Sequence, residues 1–422
     1  MRLLVVGGGG REHALVWKLR QSKKVSKIYA IPGNGGIGEE ADLLLGRPED
    51  LEGIVTHCRG QKIDFVVVGP ELPLTLGLVD RLEREKIPCF GPSRQAAELE
   101  GSKAFTKQLL REEKIPTAHF ETFSDFDRAV DFLKSQAYPI VIKADGLAAG
   151  KGVLICKDRS EAVGALEKIL KKRIFGGAGE RVVIEEFLKG EEVSFHVLVD
   201  GEQAVPLATA QDYKRVRDGD EGPNTGGMGA TTPNQFFSPD LEKVVLRTII
   251  RPTIEGLKRR GIIYRGVLYA GLMLTSSGPR LLEYNVRFGD PETQVLMARL
   301  DSDLMELMEY TMAGRLDRAA PVWKKEVALT VVLAAHGYPD EVCKGDEIAG
   351  LEKAKSVLGT VVFHAGTRKE EGRWLTNGGR VLGVTSWGKD LRQARERAYD
   401  ACDKIYWKGV HYRKDIGLKG SL

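Results

Sequence analysis

Short apolar runs that end in glycine or proline punctuate the first hundred residues. They occur at 2–6, 28–31, 65–68 and 89–90, and amphipathic stretches separate them. Buried strands that alternate with helices are typical of a parallel sheet covered on both faces. The pattern therefore predicts a doubly wound α/β domain over residues 1–100, with a ligand-binding edge at the carboxyl ends of its strands.

The first loop at that edge is the glycine run 7–10, followed by Arg11 and by a helix expected over 14–21. The run fails as a dinucleotide fingerprint, because Glu12 or His13 occupies the third glycine position, depending on the starting glycine. A helix amino terminus beside small residues still favours an anion such as a phosphate, and Arg11 adds a fork of donors. A tight turn that binds nothing is the alternative.

A strand, a loop of small residues and a second strand are predicted over 139–153. The loop is not a Walker A motif, because its glycines enclose three residues instead of four and another glycine follows the lysine. A glycine loop between two strands is suited to act as a flap over phosphates. Lys143 ends the apolar strand, where an ammonium group needs a partner, so Lys143 and Lys151 are candidate phosphate ligands. A solvated lysine is the alternative.

The segment 181–195 is predicted to form two strands joined by a short linker. Such a linker can present backbone N–H and C=O groups to the edge of an adenine, while Phe187 or Leu188 packs on the face of the ring. Glu192 is a candidate partner for a ribose hydroxyl. Exposure to solvent is the alternative for the charged residues of this segment.

An apolar strand that runs into Glu283, Asn285 and Arg287 carries the densest candidate chemistry. Residues two apart on a strand point to the same face, so the oxygens of Glu283 and Asn285 are predicted to lie side by side. Oxygen ligands of this kind suit Mg²⁺, which binds one or two carboxylates together with substrate phosphates. A polar strand end that enters a turn is the alternative. The preceding strand contributes no further acid between residues 268 and 275.

Residues 211–230 are rich in glycine and polar side chains, which predicts a long loop that is functional or disordered. The next elements are expected at 241–259 (helix), 264–275 (strand), 327–335, 360–365 and 380–386 (strands), 377–379 (hairpin turn) and 391–407 (helix). The change of pattern near Trp323 predicts a small α+β domain over 324–422. A middle domain then spans 101–323, with a flap subdomain at about 120–188.

Composition describes an ordinary globular protein of 422 residues, 42% hydrophobic and 29% charged. A formal net charge of +4 provides no strong field for a nucleic acid or a membrane. The five cysteines are scattered without metal-binding spacing, which favours reduced thiols in the cytoplasm. The longest apolar run, 327–335, is too short to cross a bilayer, and no signal peptide is expected before the first strand.

Ten motifs along the chain point to one enzyme family. They are GGGGREHA at 7–14, PGN at 32–34, VGPE at 68–71, GSKAFTK at 101–107, IKADGLAAGKGV at 142–153, EEFL at 185–188, GPNTGGMGA at 222–230, RFGDPETQ at 287–294, TNGGRVL at 376–382 and RKDIG at 413–417. In this order, and nearly from end to end, they resemble the glycinamide ribonucleotide synthetase (phosphoribosylamine–glycine ligase) family, ATP-grasp enzymes of purine synthesis.

The resemblance implies a reaction in two steps. ATP phosphorylates the carboxylate of glycine, and the amine of 5-phosphoribosylamine then attacks the glycyl phosphate to give glycinamide ribonucleotide, ADP and phosphate. It also implies an ATP-grasp core in the middle domain, ATP as co-substrate and Mg²⁺ or Mn²⁺ as cofactor. The expected partners are these small molecules, bound by a cytoplasmic monomer that takes neither nucleic acid nor membrane.

The resemblance assigns roles to residues as well. Metal binding is implied for Glu283 and Asn285. Catalysis is implied for Lys143, for Asp212 at the glycine ammonium, and for Arg287 at the glycine carboxylate or the transferred phosphoryl group. The residues implied in ATP binding are Lys103, Lys143, Lys151, Glu185, Phe187, Leu188 and Glu192. Those implied in substrate binding are Gly9, Arg11, Glu12, Asn34, Glu71, Asp212, Gly226, Gly227, Met228 and Arg287.

Three alternatives stay open at this point. Another ATP-grasp ligase, of the biotin-carboxylase or aminoimidazole-ribonucleotide type, is disfavoured by the run 222–229. A non-catalytic nucleotide-binding regulator is disfavoured because Lys103, Lys143, Glu283 and Asn285 are all present. A dinucleotide oxidoreductase is disfavoured by the failed glycine fingerprint.

Overall fold

The amino-terminal sheet is built from strands buried on both faces. The computed structural model describes residues 1–148 and 152–418. Its first elements are β1 (Arg2–Gly7), α1 (Gly10–Leu19), β2 (Lys27–Pro32), β3 (Asp42–Leu43), α2 (Leu51–Gln61), β4 (Phe65–Val68), α3 (Glu71–Leu76), α4 (Leu78–Arg84) and β5 (Cys89–Phe90). All pairings are parallel, in the order β3-β2-β1-β4-β5. The predicted doubly wound parallel sheet is confirmed.

Two details of this sheet differ from the prediction. The first helix begins at Gly10, not Ala14, because Gly10, Arg11, Glu12 and His13 form its first turn, with the Glu12 side chain capping the backbone N–H of Gly9. The short strand β3 was not predicted, since two exposed residues carry no hydrophobic periodicity.

The next part of the chain holds four α-helices and a four-stranded antiparallel sheet. These elements are α5 (Arg94–Gly101), α6 (Lys103–Glu112), β6 (Phe120–Phe123), α7 (Phe126–Phe132), β7 (Ile140–Ala144), β8 (Val153–Cys156), α8 (Arg159–Leu166) and β9 (Val182–Glu186). The sheet order is β6-β9-β7-β8, and α7 and α8 pack on it around their own small core. Ser102 accepts a hydrogen bond from the Phe105 N–H, which confirms it as the cap of α6.

A second antiparallel sheet carries the predicted metal strand. The elements that follow β9 are β10 (Glu191–Asp200), β11 (Ala204–Pro206), β12 (Gln211–Asp212), β13 (Arg215–Arg217), β14 (Glu221–Asn224), β15 (Gly229–Thr232), α9 (Pro239–Val245), α10 (Arg251–Arg259), β16 (Arg265–Thr275), β17 (Gly278–Asn285), α11 (Glu292–Arg299) and α12 (Leu304–Met312). One π-helical turn over Leu246–Ile250 joins α9 to α10. The sheet order is β11-β10-β16-β17, with β17 at one edge.

The carboxyl-terminal part is α+β, as predicted. Its elements are β18 (Val327–Ala334), α13 (Leu351–Lys355), β19 (Thr360–His364), β20 (Thr367–Glu370), β21 (Arg373–Thr376), β22 (Arg380–Gly388) and α14 (Leu391–Cys402). The main sheet has the order β12-β15-β18-β22-β19, so two of its strands come from residues 211–232. The expectation of one long loop there is wrong: Met228 and Ala230 are buried and pair with this sheet.

Two further expectations in this part are corrected. The last helix ends at Cys402, because Tyr406 exchanges backbone hydrogen bonds with Ala349 and leaves Trp407 buried in the core. The turn 377–379 does not close a hairpin, since β21 pairs with β20 while β22 lies in the larger sheet. Gly378 instead packs against the backbone of Gly366, where a side chain would collide. None of the helices in 1–148 and 152–418 is long and apolar enough to cross a membrane.

Candidate active site

Glu283 and Asn285 end the edge strand β17, and both face the same cluster of charges. The cross-strand partner of Glu283 is Gly271, where a Cβ atom would lie in ordinary contact with the Glu283 Cγ, at 3.5 Å. Burial would raise the pKa of Glu283, but the nearby cations hold it below its ordinary value. Those cations are Lys214, Lys143, Lys103 and Arg287, in order of effect. The carboxylate is therefore ionised at neutral pH and surrounded by positive charge.

Lys143 reaches this cluster from β7. Its ammonium lies 3.0 Å from Glu185 Oε2 on the neighbouring strand β9, and it donates to the Leu282 carbonyl of β17 at 3.2 Å. Lys103, at the start of α6, donates to the Gly146 carbonyl at 3.0 Å. Burial lowers the pKa of Lys103, an effect that Glu283 opposes and Lys143 reinforces. Two ammonium groups thus stand beside the strand end that carries the predicted metal ligands.

Asp212 and Lys214 enter the site from the opposite side, on and just after β12. The Lys214 ammonium lies 2.6 Å from Glu192 Oε2 of β10. Burial opposes the charge of Lys214, but Glu192, Glu283 and Asp212 raise its pKa. Asp212 Oδ1 is shielded from solvent and has no hydrogen-bond partner. Burial, reinforced by the charge of Glu292, raises the pKa of Asp212 well above its ordinary value.

Arg287 is held by protein carboxylates. Its guanidinium donates to Glu100 at 2.8 Å, to Glu71 at 3.2 Å and to Asn285 Oδ1 at 3.0 Å. Burial disfavours the charge of Arg287, but Glu100 and Glu71 outweigh this and raise its pKa. The fork is directed toward the end of β17 rather than toward solvent.

The amino-terminal loops are fastened to the same strand end. Arg11 donates to Glu12 at 2.7 Å and to the Phe288 carbonyl at 3.1 Å, and both side chains are buried. Asn34 donates to the carbonyls of Gly8 and His364 and accepts from the Ile37 N–H, so its amide is fully engaged in holding the loop. Arg11, Glu12 and Asn34 therefore shape the loop from behind.

A cavity of about 770 Å³ opens between these loops and the carboxyl-terminal part. Gly9 and Asn34 line one wall. The opposite wall includes Arg368, Lys369, Asn377, Gly378 and Arg380. Arg380 forms an ion pair with Asp290 at 3.2 Å and donates to the Gly226 carbonyl at 2.6 Å, which ties the 226–228 turn to the cavity. The lining carries Arg368, Lys369 and Arg380 together with Glu39 and Asp290. Guanidinium donors and glycine backbone N–H groups of this kind suit a phosphorylated sugar.

The remaining predicted residues are distributed around this centre. Gly227 has φ +113°, and a side chain there would collide with Pro291 and approach Asp212 Oδ1. Met228 is buried against Val216 in a small apolar cluster, so its side chain supports the turn. Phe187 and Leu188 are half-buried in the linker between β9 and β10. Lys151 lies outside the described residues.

The oxygen donors of Glu283 and Asn285 fit a hard cation whose remaining ligands are substrate phosphates and waters. The described residues contain no group of three or more His, Cys, Asp or Glu side chains able to hold a metal ion by themselves. One carboxylate and one amide oxygen, from Glu283 and Asn285, match the habit of Mg²⁺, which keeps several waters and binds substrate phosphates. Asn285 Oδ1 already accepts from Arg287, which orients that oxygen.

Sequence reasoning missed several charged residues of the site. Lys107 and Glu185 form a buried ion pair, the partly exposed Lys214 pairs with Glu192, Glu100 pairs with Arg287, and Arg380 pairs with Asp290. Three of these residues lie within the family motifs at 101–107, 287–294 and 376–382, namely Lys107, Asp290 and Arg380. Their place in a motif indicates importance but does not indicate which residue each one contacts. Together the residues can hold two anions close to one another, which is the difficulty in phosphorylating a carboxylate.

Comparison with known proteins was consistent along the whole chain. Three family models match: phosphoribosylglycinamide synthetase N domain at 1–100, ATP-grasp (A) domain at 101–293 and C domain at 328–419. The chain is 48% identical over 416 residues to a phosphoribosylamine–glycine ligase of Caldanaerobacter subterraneus, covering 99% of each chain. It is 49% identical to the enzyme of that name from Brucella melitensis, covering 99% of this chain and 98% of the other.

Solved structures gave the same picture. A crystal structure of phosphoribosylamine–glycine ligase from Thermotoga maritima superposes with a TM-score of 0.87 at 35% identity, over 98% of this chain and 100% of that one. The biotin carboxylase domain of a Hydrogenobacter thermophilus carboxylase superposes with a TM-score of 0.77 at 18% identity, over 97% and 91% of the two chains. The second likeness concerns the fold alone.

Proposed function

The chain belongs to the phosphoribosylglycinamide synthetase family, and from this premise we propose how its residues share the work of ligation. It is an ATP-dependent carbon–nitrogen ligase that joins glycine to 5-phosphoribosylamine through a glycyl phosphate, in de novo purine biosynthesis. The observation that supports the assignment of residues is the convergence of Lys103, Lys143, Lys214 and Arg287 on Glu283. This cluster neutralises the triphosphate and the glycine carboxylate as they approach each other.

ATP lies between the flap and the strand end of β17. Lys103, Lys143 and Lys151 neutralise its phosphates. The linker after Glu185 holds the adenine, with Phe187 and Leu188 against the ring and Glu192 at the ribose. Glu283 and Asn285 would hold Mg²⁺ or Mn²⁺, which would neutralise phosphate charge.

Glycine sits with its ammonium at Asp212 and its carboxylate toward Arg287, which also contacts the phosphoryl group in transfer. The turn 226–228 closes this pocket, since Gly227 leaves room beside Asp212 that a side chain would fill. The phosphoribosylamine occupies the cavity beside Gly9 and Asn34, shaped by Arg11, Glu12 and Glu71. Its amine then attacks the acyl carbon, and phosphate leaves with the bonding electrons. No protein nucleophile is needed.

The proposed organisation is an amino-terminal domain over 1–100, an ATP-grasp domain over 101–323 with a flap at about 120–188, and a carboxyl-terminal domain over 324–422. We propose that the enzyme acts in the cytoplasm as a monomer without a nucleic-acid or membrane partner. The cavity is lined by the two ends of a single chain, and all five cysteines are free thiols, which supports both statements.

The test is the product formed from ATP, glycine and freshly generated 5-phosphoribosylamine. We expect phosphate release only when both co-substrates are present, and glycinamide ribonucleotide in equal amount. A different ATP-grasp ligase would release phosphate with another acid or amine, and a pure nucleotide binder would release none. Lys143→Ala should mainly weaken the use of ATP, so an unchanged apparent affinity and rate would contradict its role.

A further inference from the structure

A buried ion cluster stands behind the Lys143 ammonium. Glu185 is almost fully buried and lies between two lysines: Lys143 at 3.0 Å from Oε2 and Lys107 of α6 at 3.2 Å from Oε1. The Lys107 ammonium also donates to the Thr117 hydroxyl at 2.8 Å, and Thr117 in turn donates to the Leu281 carbonyl of β17 at 2.7 Å. Lys107 is thereby linked through Thr117 to strand β17, which carries the proposed metal ligands.

The balance of charge in this cluster is uneven. At ion-pair distance, two ammonium groups share the single carboxylate of Glu185, and Glu283 of β17 acts on both of them from farther away. Two buried cations with one anion in close contact are incompletely neutralised at short range, so the cluster favours the arrival of an anion. Lys143 is the member that reaches the active site, through Leu282 of β17, whereas Lys107 is enclosed behind it.

We propose that Lys107 is a positioning residue for ATP: by neutralising Glu185, it frees the Lys143 ammonium for the triphosphate. Without Lys107, Glu185 and Lys143 form a closed neutral pair, and the phosphates must compete with a buried carboxylate for the same lysine. The inference rests on the proposed role of Lys143 and adds a residue that touches no substrate itself.

The charge of Lys107 is itself sensitive to pH. Burial, reinforced by Lys143 and opposed by Glu185 and Glu283, lowers the pKa of Lys107 to about 8. The Phe120 ring, 5.2 Å from the ammonium, also faces it. Because Lys107 is cationic below that pKa and neutral above it, affinity for ATP should fall as the pH rises through about 8.

The experiment measures binding of a non-hydrolysable ATP analogue with Mg²⁺ by calorimetry. We expect Lys107→Met to weaken binding about tenfold, from the loss of one charge at short range in a protein dielectric. The same substitution in a Glu185→Gln background should cost less than about twofold, because the carboxylate that Lys107 neutralises is gone. Lys134→Met, which removes an exposed lysine paired with Asp131 in the flap, should leave affinity unchanged.

Equal losses in the two backgrounds, or no loss in either, would overturn the proposal, because a purely structural role of Lys107 costs the same with or without the Glu185 charge. If Lys107→Met does not fold, the pH profile decides instead: wild-type affinity should decline through about pH 8, and a flat profile there refutes the idea. Lys143→Met distinguishes failure of the proposed ATP site from failure of the proposed role of Lys107. Unchanged affinity in Lys143→Met contradicts the proposed ATP site, whereas weak binding there with normal binding in Lys107→Met contradicts only the positioning role.

Discussion

Replacing Asp212 by asparagine tests the glycine pocket most directly. Asp212 Oδ1 is shielded from solvent and unpaired, and burial together with Glu292 raises the pKa of its carboxyl well above the ordinary value. Burial therefore favours the neutral form of Asp212 in the free enzyme. An arriving ammonium provides both a donor and a positive charge, so glycine binding should lower the pKa of Asp212 and favour its ionised form.

The size of the effect follows from that geometry. A hydrogen bond to a charged group in a water-poor site contributes about 1.5–3 kcal/mol. At about 1.4 kcal/mol for each factor of ten, Asp212→Asn should raise the KM for glycine by roughly 10- to 150-fold. The KM for ATP should change by less than about threefold, since the triphosphate contacts other residues. Wild-type enzyme should release more protons per glycine bound than Asp212→Asn does.

The assay is calorimetric titration of glycine in two buffers of different ionisation enthalpy, with the ATP analogue and Mg²⁺ present. The difference in apparent enthalpy counts the protons released, and Asp212→Asn should release none. Glu221→Gln, which alters an exposed acid on the neighbouring strand β14, is the matched control and should behave as wild type. Proton release that persists in Asp212→Asn, or glycine affinity that does not change, would refute the assignment.

Three further predictions concern the metal strand, the cavity and acid stability. Glu283→Gln should lower kcat by about 10²–10³-fold and weaken the binding of Mg²⁺, which a metal titration measures. Glu202→Gln is the control, since Glu202 is an exposed acid paired with Lys258, and it should change neither quantity. Arg380→Met breaks the ion pair with Asp290 and should raise the KM for phosphoribosylamine and spare that for ATP; equal effects on both would contradict the cavity assignment. Burial opposes ionisation of Asp290, but Arg380 and Arg11 hold its pKa below 3.8. The ionised carboxylate therefore stabilises the fold above about pH 4, and this stabilisation is lost as the pH falls through the lowered pKa. Urea midpoints of Asp290→Asn should therefore converge on wild type in strong acid.

The sequence was most informative where one element carries its own pattern. The strand β17 has an apolar run that ends in Glu283 and Asn285 at a spacing of two, so both its existence and the shared face of these two side chains were predictable from local periodicity; their metal-binding role stays a prediction. The same is true of β7, where an apolar run ends in Lys143. The glycine run at 7–10 predicts a turn, but the helix begins at Gly10, four residues before its predicted start, because glycine is a poor helix former and the capping side chain is that of Glu12, inside the helix.

The remainder depends on pairing between distant segments. Strands of two to four residues, such as β12 and β15, show no periodicity, so their place in the carboxyl-terminal sheet could not be read from residues 211–232. The carboxylate partners of the site lysines are also distant in the sequence. Lys107 pairs with Glu185, and Lys214 pairs with Glu192, only after the sheets form. A charged residue in a motif signals importance without saying which charge faces it.

The charge pattern of the site has one consequence for how affinity arises. Two lysines of the cluster already have a carboxylate partner in the free chain, Lys143 with Glu185 and Lys214 with Glu192, and Glu283 faces both lysines. In the proposed complex, ATP would therefore exchange one set of anions for another at these lysines. Exchange of this kind keeps the empty site stable, because each of these two lysines keeps a carboxylate beside it. It also limits the net free energy of ATP binding to the difference between the phosphate contacts that form and the carboxylate contacts that break. A residue that weakens the hold of a carboxylate on its lysine, as we propose Lys107 does for Glu185, therefore affects the affinity for ATP without contacting ATP.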